Sequence, residues 1–154
     1  TAPVPVRNIF WSKFLVIAGL SFVTQVFFFA LYLAAGFYFG FQSSIPPDVV
    51  RWFLCAWFGS LPVAAMQLFF AMRIRSFAVP VGIGFCCSVV GFLLAVKGWW
   101  PIFPNALLIA GMGSVSQEAL GEVDMGIFFV MCAMFTVIFC GLSLLVLKRT
   151  DVKS

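Results

Sequence analysis

The sequence has 154 residues, 64% of them hydrophobic and only 9% charged, with a mean hydropathy of +1.15. Soluble domains are near half apolar and a quarter charged, so this composition cannot cover a water-facing surface. It excludes a soluble globule, a disordered tail and a nucleic-acid-binding domain. The formal charge of +4, from 9 Lys+Arg against 5 Asp+Glu and no His, matters through where the charges fall, because loop Lys and Arg set membrane orientation.

The chain opens Thr-Ala-Pro-Val-Pro-Val-Arg, with no Met and no charged-then-apolar leader; the first segment reads as an uncleaved anchor or, equally, the chain as the C-terminal part of a longer protein. Four apolar runs follow, at about 14–41, 50–72, 77–96 and 126–147. Each supplies the ~20 residues that cross a ~30 Å hydrocarbon core at 1.5 Å per residue. All four are predicted helices, since a lone segment in lipid must satisfy its own backbone. The turn Arg73-Ile74-Arg75-Ser76 between the second and third runs makes them antiparallel neighbours.

Residues 97–125 read differently. Gly98-Trp99-Trp100-Pro101-Ile102-Phe103-Pro104-Asn105 has the aromatic and proline content of a membrane interface, and 106–113 is apolar but too short to span. It predicts a re-entrant or interfacial helix, followed by a solvated loop with Gln117, Glu118, Glu122 and Asp124. The expected fold is all-α: a single transmembrane domain over 1–154, a polytopic helical bundle of four spans plus a short re-entrant segment before the last. With a cytoplasmic N-terminus, Arg7, Lys13, Arg73, Arg75, Lys148, Arg149 and Lys153 lie inside, and Arg51 and Lys97 outside. That asymmetry predicts that both ends are cytoplasmic in a multi-pass cell-membrane protein.

Helices in lipid associate by close packing and interhelical hydrogen bonds, so small residues at helical spacing mark packed faces. Such stripes are Ala56, Ser60, Ala64, Gln67 and Ala71 in the second run; Gly84, Ser88, Gly91 and Ala95 in the third; and Ala133, Thr136, Cys140 and Ser143 in the last. The Phe-rich opposite faces are expected to meet lipid. Pro62 must kink the second helix. Ser21, Thr24, Gln25, Ser60 and Gln67 place polar groups at membrane depth, as interhelical ties or as the lining of a pathway. The five Cys read as small packing residues.

The spans lack the ionisable residues, metal ligands, phosphate loop and nucleophile–base pairs that ion coupling, metal binding, ATP binding or hydrolysis would need. The chain is therefore read as a non-enzyme with no cofactor of its own, any uphill work being driven by a partner.

Three stretches carry a resemblance. Ser60–Gly84 has a Leu61-Pro62 helix with a mid-span Gln67, a tight basic turn, then Phe77-Ala78, Pro80 and Gly84. It resembles the permease subunits of ABC-2-type exporters of the lantibiotic-immunity and bacitracin-resistance branch. Val4–Lys13 is similar to the cytoplasmic segment before that family's third helix, and the Trp-Pro stretch to the outer region before its last. The resemblance implies the third to sixth spans of a six-span bacterial permease, with two N-terminal spans missing. It implies pairing with a second permease chain and with separate ATPase subunits holding ATP and Mg, and export of an amphiphilic peptide. On that basis Arg7, Asn8, Phe10 and Trp11 lie near the ATPase, and Arg73 and Arg75 face the cytoplasm beside lipid phosphates or the partner. Asn105 and the acidic loop face outward. The alternatives are a self-contained four-helix accessory or immunity protein without an ATPase, and a passive oligomeric channel.

Overall fold

The computed structural model describes residues 6–40, 47–74, 76–113 and 124–151, all organised by helices. Four of these are long: α1 (Val6–Tyr38), α2 (Pro47–Arg73), α3 (Ala78–Val96) and, after the short α4 (Pro104–Gly111), α5 (Met125–Asp151). A single 3-10 turn, Trp100–Ile102, precedes α4. The four long helices have the length and apolarity to cross a membrane, so the protein is a multi-pass helical bundle. Helix α1 already opens at Val6, so Arg7–Lys13 are helical. At 33 residues, or ~50 Å, α1 exceeds the bilayer core.

Helix α2 is the centre of the bundle, touching α1, α4 and α5 extensively. The tight turn after Arg73 reverses the chain into α3, but α2 and α3 do not lie along one another. Helix α4 is inserted between them and packs on both. The antiparallel pair expected from the short turn is thus a V, closed at the Arg73 end and filled by α4 at the other.

Local chemistry explains how the chain turns back into this gap. Helix α3 ends in a two-bond cap, the Gly98 N–H donating to the Ala95 carbonyl (3.0 Å) and the Trp99 N–H to the Leu94 carbonyl (2.9 Å). Gly98 adopts φ +75, a left-handed conformation open to glycine at little cost. Phe103 is extended, as a residue before proline prefers, and Pro104 starts α4 where its missing N–H is not needed. The Phe103 carbonyl accepts from the Ala106 and Leu107 N–H groups.

Two packed clusters hold the bundle. At the α4 end, Cys55, Ala95, Trp100, Ala106, Leu107, Ala110, Phe128 and Cys132 interlock. At the Arg73 end, Phe10, Phe14, Ala65, Leu68 and Cys140 join α1, α2 and α5. Phe58, Phe85, Phe92 and Phe129 lie on exposed faces of the second, third and last long helices, whereas Phe10 and Phe128 are 0% exposed. Both rings pack where neighbouring helices offer small side chains. A Cβ at Gly111 would come within 2.9 Å of the Phe128 ring. Cys55, Cys132 and Cys140 are buried packing residues, whereas Cys86 is exposed and Cys87 half-buried.

Candidate functional site

The arrangement that sets this bundle apart is the seating of α4 between α2 and α3. Glycine sits at three of its contacts. A Cβ at Gly91 of α3 would stand 2.5 Å from the Asn105 Cβ and 2.9 Å from the Ala106 nitrogen. One at Gly59 of α2 would stand 3.0 Å from the Leu108 Cα, and one at Gly111 would stand 2.9 Å from the Cys55 carbonyl oxygen. The helices meet here more closely than a larger residue accommodates without a shift, the geometry by which helices in lipid gain dispersion contact. Helix α4 descends along α3 as far as Ser88, about 12 Å from the Val96 end at 1.5 Å per residue.

Asn105 is the polar member of this seat. It is 3% exposed, so the expectation that it faces outward is overturned. The two prolines turn the chain inward and carry Asn105 down with the first turn of α4. Its Nδ2 donates to the Ser88 Oγ (3.0 Å), and the Ser88 Oγ donates to the Gly84 carbonyl (3.0 Å). Its Oδ1 is buried without a hydrogen-bond partner among the described residues. On the far side of Gly84 lies the Gln67 amide of α2, whose flexible end fills the space that a Cβ at residue 84 would take. Gln67, Gly84, Ser88 and Asn105 therefore form one line of contact along α3, from the closed end of the V to the tip of α4.

A cavity of about 390 Å³ lies beside Gln67 at the closed end, lined also by Ile17, Ala71, Phe77 and Pro80. Arg73 is exposed at the end of α2, while Arg75 lies outside the described residues, as do Gln117, Glu118 and Glu122. Pro62 is fully buried within a helix that continues through it, and its ring removes one backbone N–H from the ladder.

The remaining polar groups separate. Ser60, Thr136 and Ser143 donate to carbonyls of their own helices, those of Trp57, Cys132 and Phe139. They are satisfied locally rather than tying helices together. Ser21 is half-buried and Thr24 exposed. Gln25 lines a second cavity, between α1 and α2. Sequence reasoning missed Trp57, whose Nε1–H donates to the Ala18 carbonyl (3.2 Å) and ties α2 to α1. An indole inside an apolar span must find an acceptor, and that requirement was the available signal. It also missed that Asp124 caps α5, its Oδ1 accepting from the Gly126 N–H (2.7 Å). An Asp just before a long apolar helix is the usual sign of such a cap.

At the start of α1, Arg7 and Asn8 are exposed and Trp11 is 41% exposed, whereas Phe10 is enclosed by Phe14, Ala65, Leu68 and Cys140. Of the four residues expected near an ATPase, Phe10 is thus a packing group and the other three form surface.

A family model described as ABC-2 family transporter protein matches residues 1–91. That stretch takes in α1, α2 and the part of α3 that carries Gly84, Ser88 and Gly91; Asn105 and α4 lie beyond it. No curated protein and no solved structure matches the chain.

Proposed function

The chain belongs to the ABC-2 transporter family, a membrane subunit of an ABC transporter, and from that premise we propose that it is a permease chain exporting an amphiphilic antimicrobial peptide. ATP is hydrolysed on a separate ATPase subunit, and a second permease chain completes the membrane unit. The Arg73 end faces the cytoplasm, a reading supported by the excess of Lys and Arg assigned to that side. The exposed Arg7, Asn8 and Trp11 on α1, together with Arg73 and Arg75 at the α2–α3 turn, receive the ATPase.

The observation that carries the mechanism is the line Gln67–Gly84–Ser88–Asn105. A displacement of the basic turn by the ATPase acts on the apex of the V. The cavity beside Gln67 lets the apex move, and the packed face of α3 passes that movement to α4. Because the Gly91 contact leaves little slack, the first turn of α4 follows α3. The outer end of the bundle then opens or closes in step with the nucleotide state. Coupling resides in packing and in one side-chain pair.

The test starts with the natural protein, purified from its own membranes in mild detergent. A stoichiometric ATPase subunit is expected in the complex, and its absence would remove the permease mechanism. In cells, Gln67→Leu is expected to reduce resistance to the exported peptide at unchanged expression. Unaltered resistance would remove Gln67 from the transport cycle.

A further inference from the structure

The cavity of about 390 Å³ beside Gln67 lies where the spans end. Helix α2 stops at Arg73 and α3 starts at Ala78, so Ser76 and Phe77 at the cavity mouth stand at headgroup level. Gln67 lies about 9 Å farther along α2 into the bilayer, at 1.5 Å per residue. The lining between them is hydrocarbon: Ile17 of α1, Leu68 and Ala71 of α2, and Pro80 and Val81 of α3. The cavity opens sideways, with Phe77 87% exposed and Val81 56% exposed on the flank of α3.

Lining and rim together select the occupant. An apolar recess does not hold water, so within a bilayer it takes up hydrocarbon. Of its two polar groups, the Gln67 amide lies against Gly84 and Ser76 is exposed at the mouth. The rim is cationic. Lys13 is exposed one turn before Ile17 on the same face of α1, and its side chain leans toward the helix N-terminus, out of the hydrocarbon. Arg73 is exposed between the lining residues Ala71 and Ile74. The start of α1 and the end of α5, which pack together at this level, bring Arg7, Lys148 and Arg149 against Asp151 alone. Phe77 gives α3 no side-chain cap and the first turn holds no acid, so no carboxylate offsets the positive end of that helix. A neutral or cationic amphiphile leaves these charges unpaired, and a free phosphate leaves the recess unfilled.

We propose that this cavity is a binding site for an anionic phospholipid, with one acyl chain lying along Leu68, Ala71 and Val81 toward Gln67 and the phosphate held between Lys13, Arg73 and Ser76. The long stems of Lys13 and Arg73 pack on apolar surface while their charged heads stay at the headgroup level. Each cation near an anionic membrane surface adds to the preference for a charged lipid over a zwitterionic one.

The test uses the natural protein with its partners in phosphatidylcholine nanodiscs, and a phosphatidylglycerol probe with a diazirine in one acyl chain. After photolysis, peptide mapping is expected to find the label on Ile17, Leu68, Ala71 and Val81. Unlabelled phosphatidylglycerol is expected to compete about tenfold better than phosphatidylcholine, the effect of two cations at a membrane surface. Lys13→Gln combined with Arg73→Gln should remove most of that preference, and Lys13→Arg combined with Arg73→Lys should retain it. Ala71→Leu, at an exposed position on the recess, should reduce labelling of the other three residues. Label spread evenly over the exposed faces of α1, α3 and α5 means a lipid annulus and overturns the site. Equal competition by the two lipids removes the anionic selectivity, and displacement of the probe by millimolar inorganic phosphate means a free-anion site; either overturns the proposal. The readout is lipid binding, so its failure leaves the transport mechanism standing and the reverse also holds.

Discussion

Helices α1 and α4 are both dominated by apolar residues, yet one is nearly all surface and the other nearly all interior. Only 11% of the most apolar window of α1 is buried, and Leu15, Leu20, Val23, Phe27 and Phe28 point away from the bundle. In α4, Pro104 to Leu107, Ala110 and Gly111 are buried within eight residues. In water a hydrophobic side chain gains by leaving solvent, so apolarity marks the interior. In lipid it gains little, and what selects the interior is how closely backbones approach. Small residues face α4; α1 presents rings and branched chains to its surroundings.

That comparison can be broken by substitution, most severely where a large ring fills a glycine-shaped gap. Phe128→Ala is expected to destabilise the protein by about 3–5 kcal/mol, whereas truncation of the exposed Phe27 costs little. Unfolding in mixed micelles measures both, and equal effects would show that the α4 cluster is not tightly packed. Gly91→Ala should cost about 1–3 kcal/mol, because the new methyl meets Asn105 and the α4 backbone. Gly19→Ala on α1 meets nothing within 4 Å and should gain about 0.5–1 kcal/mol from helix propensity, so the two glycine substitutions differ in sign.

Smaller effects sharpen the picture. Asp124→Ala removes the cap of α5 and should lower stability by about 1 kcal/mol, with Asp124→Asn retaining most of it. Ser88→Ala takes the acceptor from Asn105 and is expected to cost about 0.6 kcal/mol, typical of polar pairs between membrane helices. Its larger consequence should be dynamic. Faster hydrogen exchange at the first turn of α4, with α1 unaffected, would report that the tip has loosened from α3. Exchange unchanged in α4 would mean that glycine packing alone retains it.

Much of the architecture was legible in the sequence because its causes are local. A run of twenty apolar residues has one stable backbone form in lipid, and Trp-Pro punctuation with a short apolar remainder indicates a segment that enters without crossing. The stripe Gly84, Ser88, Gly91 and Ala95 announces a packed face for the same reason. What that face packs against was not legible. A tight Arg73–Ser76 turn argues for α2 alongside α3, and nothing in the local pattern says that a segment nearly thirty residues later takes the space between them.

Asn105 shows the limit most directly. Beside two tryptophans and two prolines it has the look of an outer interface residue, and its burial depends on α4 turning inward between two other helices. Phe10 reads as part of a basic cytoplasmic segment, yet Ala65 and Cys140 leave a recess that its ring fills. Composition and periodicity by themselves determined a membrane bundle of four long helices and one short one, because the bilayer leaves the backbone few alternatives. Which faces meet, that α4 separates α2 from α3, and that Gln67, Ser88 and Asn105 fall on one line were decided only by the tertiary structure. Those outcomes rest on close approach between backbones distant in sequence, and no local rule encodes that distance.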